Sequence, residues 1–313
     1  MGKKVIVTGA TGRIGRALLA HSHSQLYEVH AIVRRKSDTV RTISGGVNIT
    51  YHAVGDLAFC NTNALTPILQ NADAVIHLAA MIAEDGPANE SATVKMAENV
   101  AKVCAEASVP YIIHLSSISA RLAQEGAANS RLYGQRKLEA EHAFNSQCAD
   151  NSAVINLRPP AVYGEGMGGP LSAMISLVRM GIPLPFARAR EQRDYISINN
   201  LVDLVWSIIK QQLSCNSNSG VKEYEPCDGL PLATNELTKL IANSLGRRAI
   251  QFPVPIALIS SILKLLGKAE LADGAFGYLK ARGNFELKRD FGWAPIETMP
   301  ESLEFLRSST KLQ

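Results

Sequence analysis

The feature that most constrains the fold is a strand, a glycine-rich turn and a helix in direct succession at the start of the chain. Val5, Ile6 and Val7 are β-branched and apolar, which is typical of a buried parallel strand. Glycines follow in a G-x-x-G-x-x-G pattern, and a helical pattern begins near Ile14. Backbone N–H groups and the positive end of a helix attract an anion, and glycines let the backbone come close to it. The pattern predicts a dinucleotide site at Gly9, Thr11, Gly12, Arg13, Ile14 and Gly15.

Strand and helix patterns alternate along the first half of the chain. Further strand patterns lie at 27–33, 49–54, 74–79, 110–115 and 152–157. Helical patterns cover 93–107 and 131–144. This alternation predicts an α/β fold, a doubly wound parallel Rossmann sheet with helices on both faces.

The character of the sequence changes after Arg158, where glycines and prolines cluster and later patterns are mostly helical. We therefore expect a dinucleotide-binding Rossmann domain over 1–166, to which 194–213 return. A smaller, partly helical substrate-binding lobe would comprise 167–193 and 214–313.

Composition excludes several other classes of protein. The net charge is +4 over 313 residues and the basic residues are scattered, which argues against a nucleic-acid partner. The five cysteines lack metal-ligand spacing, so we expect reduced thiols and no metal site. The chain enters a strand at once, which predicts no signal peptide. The apolar segment Val254–Leu266 contains a proline and is too short to span a bilayer. We expect a cytoplasmic protein without membrane insertion, in which this segment is a buried or pocket-lining helix.

A tyrosine and a lysine four residues apart carry the second signal. Tyr133 and Lys137 would share one face of a helix. A free phenol has a pKa of roughly 10, and a neighbouring cation favours the phenolate, which can act as an acid or base near neutral pH. Ser117 follows a predicted strand, at the sheet edge where such folds bind ligands, and could hydrogen-bond a substrate oxygen.

Several short motifs occur in a recognisable order over nearly the whole chain: Thr8–Gly15, Gly55–Leu57, His77–Ala80, Ser116–Ser117, Tyr133–Lys137, Leu157–Gly164, Arg193–Asp203 and Phe291–Pro295. Their content and order resemble the extended short-chain dehydrogenase/reductase family, also called the NAD-dependent epimerase/dehydratase family. Within it, Leu157–Gly166, Gly181–Pro185 and Phe252–Pro255 are most similar to bacterial nucleotide-sugar 4-epimerases and 4-ketoreductases of polysaccharide assembly.

The resemblance implies a role for each matching residue. Tyr133 would be the acid/base, and Lys137 would lower its pKa and bind the nicotinamide ribose. Ser117 would orient the C4 oxygen of the substrate, with Ser116 as the neighbouring candidate, and Arg193 would contact the substrate diphosphate. Further cofactor contacts are implied for Gly9, Gly12 and Gly15 at the pyrophosphate, Asp56 and Leu57 at the adenine, and Ala79 and Ala80 beside the nicotinamide ribose. Family members often form homodimers, so we expect that partner too.

Three positions depart from the family pattern. Thr93 stands where the family has an asparagine, Arg136 where it often has a serine, and Ser197–Asn200 where it has H-V-x-D. None of these changes removes a catalytic group.

The residues after the second predicted strand bear on the choice of cofactor. NAD-binding domains usually place an acid there for the ribose 2′-hydroxyl. This chain has Arg34 and Arg35 instead, with no acid before Asp38. Arginines match a 2′-phosphate through charge-assisted hydrogen bonds, so NADP(H) is preferred and NAD(H) is the alternative.

These inferences lead to a first hypothesis and three alternatives. The first is an NAD(P)-dependent 4-ketoreductase of a UDP-linked deoxy or N-acetylated sugar. A UDP-sugar 4-epimerase with tightly bound NAD would use the same residues. A reductase of steroid or flavonoid type is a further enzymatic alternative. A non-catalytic NADP(H) sensor is the alternative from a different class, although Tyr133 and Lys137 are both present.

Overall fold

The computed structural model describes residues 2–35, 49–81, 91–126, 132–214, 219–265 and 279–308. They belong to two compact units. The first comprises Met1–Pro159, Leu201–Pro226 and Asn284–Ala294, and the second comprises Pro160–Asn200, Cys227–Gly283 and Pro295–Gln313.

The strands, in chain order, are β1 (Lys4–Thr8), β2 (Glu28–Val33), β3 (Ile49–Ala53), β4 (Ala74–His77), β5 (Tyr111–Leu115), β6 (Ala153–Leu157), β7 (Ala161–Tyr163), β8 (Gln192–Arg193), β9 (Tyr195–Ser197), β10 (Gly220–Tyr224) and β11 (Leu232–Ala233).

The α-helices, in chain order, are α1 (Arg13–Ala20), α2 (Thr66–Leu69), α3 (Ala92–Glu106), α4 (Ile118–Gln124), α5 (Leu132–Cys148), α6 (Gly169–Arg179), α7 (Ile198–Ser214), α8 (Thr234–Ser244), α9 (Ile256–Leu265), α10 (Phe285–Phe291), α11 (Met299–Ser302) and α12 (Phe305–Ser308).

The first unit contains a seven-stranded sheet with the order β10-β6-β5-β4-β1-β2-β3. Every pairing in this sheet is parallel, which confirms the predicted doubly wound fold. The chain order reverses between β1 and β4, and in open parallel sheets ligands bind at the carboxyl ends of the strands beside such a reversal. The fold thus predicts where the site lies before any side chain is considered.

Helices cover both faces of this sheet. On one face, Ile6, Val75 and Ile112 join a buried cluster with residues of α2, α3 and α5, including Phe144. On the other face, the Trp206 indole of α7 donates to the Leu18 carbonyl of α1 at 3.0 Å and stacks on Tyr27. The central strands β1, β4, β5 and β6 are therefore buried on both sides, as their uninterrupted apolar runs predict, whereas β3 at one edge has no buried residue.

The second unit has its own core. Tyr163, Met174 and Ile241 belong to one buried cluster built from β7, α6, α8 and the last two helices. Two small sheets accompany it, a parallel pair β7–β9 and an antiparallel pair β8–β11. The role of this unit as a substrate-binding lobe stays a prediction.

Several expectations need adjustment. The first segment of the first unit ends at Pro159, seven residues before the predicted boundary of the Rossmann domain. The unit also contains Asn284–Ala294, which the sequence assigned to the other lobe. Strand β10 was not predicted, because it is a sheet edge with exposed Val221 and Lys222 and lacks an apolar run.

The segment Val254–Leu266 was expected to form a buried or pocket-lining helix, and the first of these alternatives was wrong. Helix α9 begins after Pro255, and its Leu258, Ile262 and Leu265 are exposed. A uniformly apolar segment can be recognised as long enough for a helix, but its sequence does not indicate which face of the helix packs against the rest of the protein. None of the described helices is both long and apolar enough to cross a bilayer.

Candidate active site

The turn between β1 and α1 is built for close approach of an anion. Gly9 has a φ of +67°, and a Cβ there would lie 2.7 Å from the Ala79 nitrogen. A Cβ on Gly15 would collide with the Gly9 carbonyl. Gly12 is the N-cap of α1, and no side chain caps the helix or places an acid in its first turn. The positive end of α1 and the N–H groups of its first turn suit a pyrophosphate, so the residues present fit a dinucleotide.

A cavity of about 210 Å³ adjoins this turn. It lies at the carboxyl ends of the strands on both sides of the reversal, and it is lined by Gly9, Thr11, Gly12, Ile32, Val33, Arg34, Gly55, Asp56, Leu57, Leu78, Ala79, Ala80, Met81 and Met96. The structure thus gathers most of the predicted cofactor residues around one space. Arg13, Ile14 and Gly15 form the first turn of α1 directly beside it.

The two arginines after β2 differ. Arg34 lines the cavity, and its guanidinium lies 3.5 Å from the Asp56 carboxylate, whereas Arg35 is exposed and is not among the lining residues. The Arg34 side chain is 58% exposed, so this ion pair contributes little to stability and leaves the guanidinium accessible to a ligand. Asp38 lies outside the described residues.

The predicted catalytic residues meet at the end of β5. Ser117 is the N-cap of α4, where its hydroxyl accepts the Ser119 N–H at 3.2 Å, and it also hydrogen-bonds the phenol of Tyr133. Lys137, one turn further along α5, is buried and donates from Nζ to the Leu115 carbonyl at 2.5 Å. The serine, the phenol and the ammonium therefore lie at one edge of the sheet.

The electrostatics of Tyr133 differ from expectation. Burial raises its pKa above the usual value, and the hydrogen bond with Ser117 opposes that rise only in part. The expected lowering by Lys137 is not found, because the phenol has lost solvent and the ammonium is directed to a backbone carbonyl. In this structure the phenol is therefore protonated at neutral pH and equipped to donate.

Lys137 lies in a buried cluster with two histidines, His77 and His114, and is the positively charged member of that cluster. Burial lowers its pKa to about 8, against an opposing effect of Glu141. Burial and the Lys137 ammonium lower the pKa of His77 to about 3 and that of His114 well below its usual value. The His77 Nδ1 shares a 2.9 Å hydrogen bond with the Thr8 hydroxyl, which joins the ends of β4 and β1 below the cavity.

A buried ion network extends from this group, and the sequence did not reveal it. Glu141 lies one turn beyond Lys137 on α5 and accepts two hydrogen bonds from Arg158, at 2.9 and 2.5 Å. The same guanidinium donates to Glu223 of β10 at 2.6 and 2.9 Å. The network ties α5 to the ends of β6 and β10, and buried charges of this kind need such partners.

Two further positioning residues escaped prediction. Gly134 follows Tyr133, and a Cβ there would collide with the Ser119 carbonyl, so the glycine allows α5 to touch α4. Asn99 of α3 donates to the Leu57 carbonyl at 2.8 Å and holds the loop that carries Asp56. The glycine after Tyr133 was a visible signal, whereas nothing in the sequence marked Asn99.

The structure also accounts for two of the departures from the family pattern. Thr93 is buried, and its hydroxyl accepts the Met81 N–H at 3.0 Å, just after the Ala79–Ala80 segment. Arg136 is buried within α5. Ser116 is buried at 4% exposure and its N–H donates to the Leu157 carbonyl, so Ser117 is the more accessible of the two serines.

The remaining predicted residues lie in the second unit. Arg193 is buried at the end of β8, where it pairs with Leu232 of β11 and bridges to Leu279. The departure at Ser197–Asn200 is part of a polar network, in which the Asn200 amide donates to Asp228 at 2.7 Å and accepts the Ile296 N–H. Contact of Arg193 with a diphosphate stays a prediction.

The fold and site define a Rossmann-type dinucleotide-binding protein with a serine, a tyrosine and a lysine at the carboxyl edge of its sheet. The model of the NAD dependent epimerase/dehydratase family matches residues 5–218. The chain therefore belongs to this family, as its motifs predicted, and the cofactor class is a nicotinamide adenine dinucleotide.

Comparisons with individual proteins agree. The chain is 29% identical over 331 residues to UDP-glucose 4-epimerase from Vibrio cholerae, covering 97% of this chain and 94% of that protein. The structure of UDP-N-acetylglucosamine 4-epimerase from Bacillus cereus has a TM-score of 0.74 at 18% identity and 99% coverage of both chains. The Bordetella bronchiseptica enzyme WbmG, in complex with NAD and UDP, has a TM-score of 0.70 at 15% identity, with coverage of 99% of this chain and 96% of that one. At these identities the two solved structures establish the fold.

Proposed function

We propose that the protein is an oxidoreductase acting at C4 of a UDP-linked deoxy or N-acetylated sugar, in its first form a 4-ketoreductase of polysaccharide precursor synthesis. The observation that carries the proposal is the meeting of Ser117, Tyr133 and Lys137 at the sheet edge that also holds the glycine turn. Bound nicotinamide dinucleotide would supply or accept the hydride.

The chain's own residues would handle the proton and the orientation of the substrate. The Ser117 hydroxyl would hydrogen-bond the C4 oxygen beside the phenol. Tyr133 is protonated at neutral pH, so it can give its proton to the oxygen of a 4-keto group as that carbon is reduced. The buried Lys137 ammonium would bind the ribose of the cofactor and, once turned away from the Leu115 carbonyl, would stabilise the phenolate left behind.

A 4-epimerase is the second candidate, and the similarity to the Vibrio cholerae UDP-glucose 4-epimerase favours it specifically. The phenolate form of Tyr133 would then first take the proton of the C4 hydroxyl as hydride leaves C4. Once hydride has returned to the opposite face of C4, Tyr133 would give the proton back to the C4 oxygen. The residues required are the same. The two forms differ in whether reduced cofactor is consumed.

The cofactor preference follows from Arg34. Its accessible guanidinium on the cavity wall supports a ribose 2′-phosphate, so we propose NADP(H) over NAD(H). A dinucleotide held tightly through purification and identified as NAD would instead support the epimerase.

One experiment separates these possibilities. The purified protein is examined by mass spectrometry for bound dinucleotide and is then incubated with UDP- and dTDP-sugars and their 4-keto derivatives, with and without NADPH or NADH. Stoichiometric consumption of NADPH with a 4-keto sugar indicates the reductase. Interconversion of C4 epimers without added cofactor indicates the epimerase. Binding of dinucleotide without turnover of any sugar would contradict the proposal and favour a sensor.

A further inference from the structure

Two histidines and an aspartate meet at the end of α1 opposite the glycine turn. His21 is the C-cap of α1, and His23 lies in the short 3₁₀ turn Ser22–Leu26 that follows. Asp203 belongs to α7. One ligand atom from each of the three side chains lies within 4.8 Å of the other two, and all three residues are half-buried. The group lies wholly within the first unit and outside the proposed active site.

The donor set points to a particular class of cation. Two imidazole nitrogens with one carboxylate oxygen suit Zn²⁺ and its first-row neighbours, whereas Mg²⁺ and Ca²⁺ prefer oxygen ligands alone. A tetrahedral Zn²⁺ with bonds of about 2.0–2.1 Å places its ligand atoms about 3.4 Å apart, so a small side-chain movement from the observed separation completes the site. The fourth position would be open to water.

Outer contacts already orient the ligands. The Trp293 indole donates to Asp203 Oδ2 at 2.9 Å, and Trp293 is itself buried. The His23 backbone N–H donates to His21 Nδ1 at 3.4 Å, so the ring proton is on Nε2 in this structure, and binding of a cation through Nε2 would move that proton to Nδ1 and break this long contact. Metal sites depend on such partners to fix carboxylates and imidazoles.

The end of α1 adds a favourable field. The carbonyl end of a helix carries partial negative charge, and the last turn of α1 contains no basic residue to neutralise it. A cation bound at His21 would meet both this charge and the Asp203 carboxylate.

From these observations we propose that His21, His23 and Asp203 form a site for a first-row divalent transition cation, with Zn²⁺ as its representative. Binding would join the C-terminal end of α1 to α7. The proposal is independent of the activity assigned to the cavity, and it differs from the expectation, based on cysteine spacing, that the chain has no metal site.

The test titrates Zn²⁺ into the full-length, tag-free, chelator-treated protein by isothermal titration calorimetry. We expect one equivalent to bind with micromolar or tighter affinity and to raise Tm, because a ligand of the folded state stabilises it. Co²⁺ in its place would give the visible absorption of a cation with mixed nitrogen and oxygen ligands. Absence of binding to the parent protein would overturn the proposal.

Variants assign the site. His23→Ala should weaken Zn²⁺ binding at least tenfold, and Trp293→Phe, which removes the hydrogen bond to Asp203, by about tenfold. His142→Ala is the matched control, since His142 is exposed on α5, and it should bind like the parent. If His23→Ala lowers Tm in the absence of metal, the measurement is made with His23→Asn instead, because asparagine keeps a polar side chain in the turn. Equal affinity of the His23 variant and the parent would refute the site.

Discussion

At the scale of single residues, Tyr133 combines a raised pKa with a serine partner and a buried lysine nearby. Replacing it by phenylalanine removes the transferable proton and keeps the ring. We predict that Tyr133→Phe lowers turnover by roughly 10²–10⁴-fold while Tm and dinucleotide affinity stay unchanged. Turnover is measured by steady-state kinetics with a UDP-sugar that the parent protein converts in the experiment described above, and Tm is measured by thermal melts. Tyr51→Phe, at a half-buried tyrosine of β3, is the control, and near-normal turnover of Tyr133→Phe would exclude the phenol as acid/base.

Lys137 gives a pH dependence whose sign is fixed. Its pKa in the folded chain is about 8, below the usual 10.5, so between these values the unfolded chain binds more protons. The contribution of Lys137 to stability therefore rises with pH across this window, by about 3 kcal/mol. Lys137→Met lacks this contribution, whereas the tyrosines and cysteines titrate in both chains. Urea unfolding at several pH values should show that the free energy of unfolding of the parent increases relative to that of Lys137→Met as pH rises, and a constant difference between the two would contradict the assignment.

Arg34 should set the cofactor preference. One charge-assisted bond to a 2′-phosphate contributes roughly 1.5–3 kcal/mol, which is about ten- to a hundredfold in affinity. We expect NADPH to bind more tightly than NADH, and the double variant Arg34→Ala/Arg35→Ala to lose the difference. Arg247→Ala, at an exposed arginine of the second unit, should keep it. Fluorescence titration of the three proteins with each cofactor measures all six affinities, and equal binding of both cofactors by the parent would favour NAD.

At the scale of elements, the contact between α4 and α5 sets the distance between Ser117 and Tyr133. Gly134→Ala would place a methyl group against the Ser119 carbonyl, so one helix must move. We predict a loss of roughly 1–3 kcal/mol in the free energy of unfolding and a lower turnover. Gln135→Ala, at an exposed position of the same helix, should change neither. Unchanged turnover in Gly134→Ala would show that this contact does not position the site.

The elements differ in how far sequence could predict them. Strands β1 to β6 and helices α3 and α5 were predicted to within a few residues, because most of these strands have apolar, buried runs and both helices are long. Strand β10 was not predicted, because this edge strand has neither an apolar run nor a clear alternation of polar and apolar residues. The exposure of one face of α9 was not predicted, because apolar content alone does not indicate which residues are buried.

The candidate site shows the same division. Local spacing predicted the glycine turn and the pairing of Tyr133 with Lys137. The rise in the Tyr133 pKa and the network around Arg158 depend on burial and on contacts between distant strands, which spacing does not contain. Asn99 illustrates this, since its partner lies 42 residues earlier in the chain.

At the scale of the whole molecule, the function proposed requires a contribution from the second unit. Arg193 is fixed there by strand pairing, and the neighbouring Asp194 accepts the Ala281 N–H at 2.8 Å. A guanidinium can hold a diphosphate through two hydrogen bonds. We propose that Arg193 binds the UDP moiety, which is remote from C4.

Substitution of this arginine should therefore affect binding more than chemistry. Arg193→Ala should weaken UDP binding and raise KM more than it lowers kcat, with dinucleotide affinity unchanged. Arg188→Ala, at an exposed arginine of the same unit, is the control. Calorimetry with UDP alone gives the comparison, and equal affinity of Arg193→Ala and the parent would remove Arg193 from the site.

The central claim is hydride chemistry at C4 with the proton supplied by Tyr133, and isotope transfer tests it most directly. The protein is incubated with a UDP-linked 4-keto sugar and NADPH carrying deuterium at the transferable position, and the product is examined by mass spectrometry and NMR. The account predicts one deuterium at C4 of the product from the parent protein and almost none from Tyr133→Phe in the same time. Deuterium at another carbon, or equal incorporation by both proteins, would contradict it.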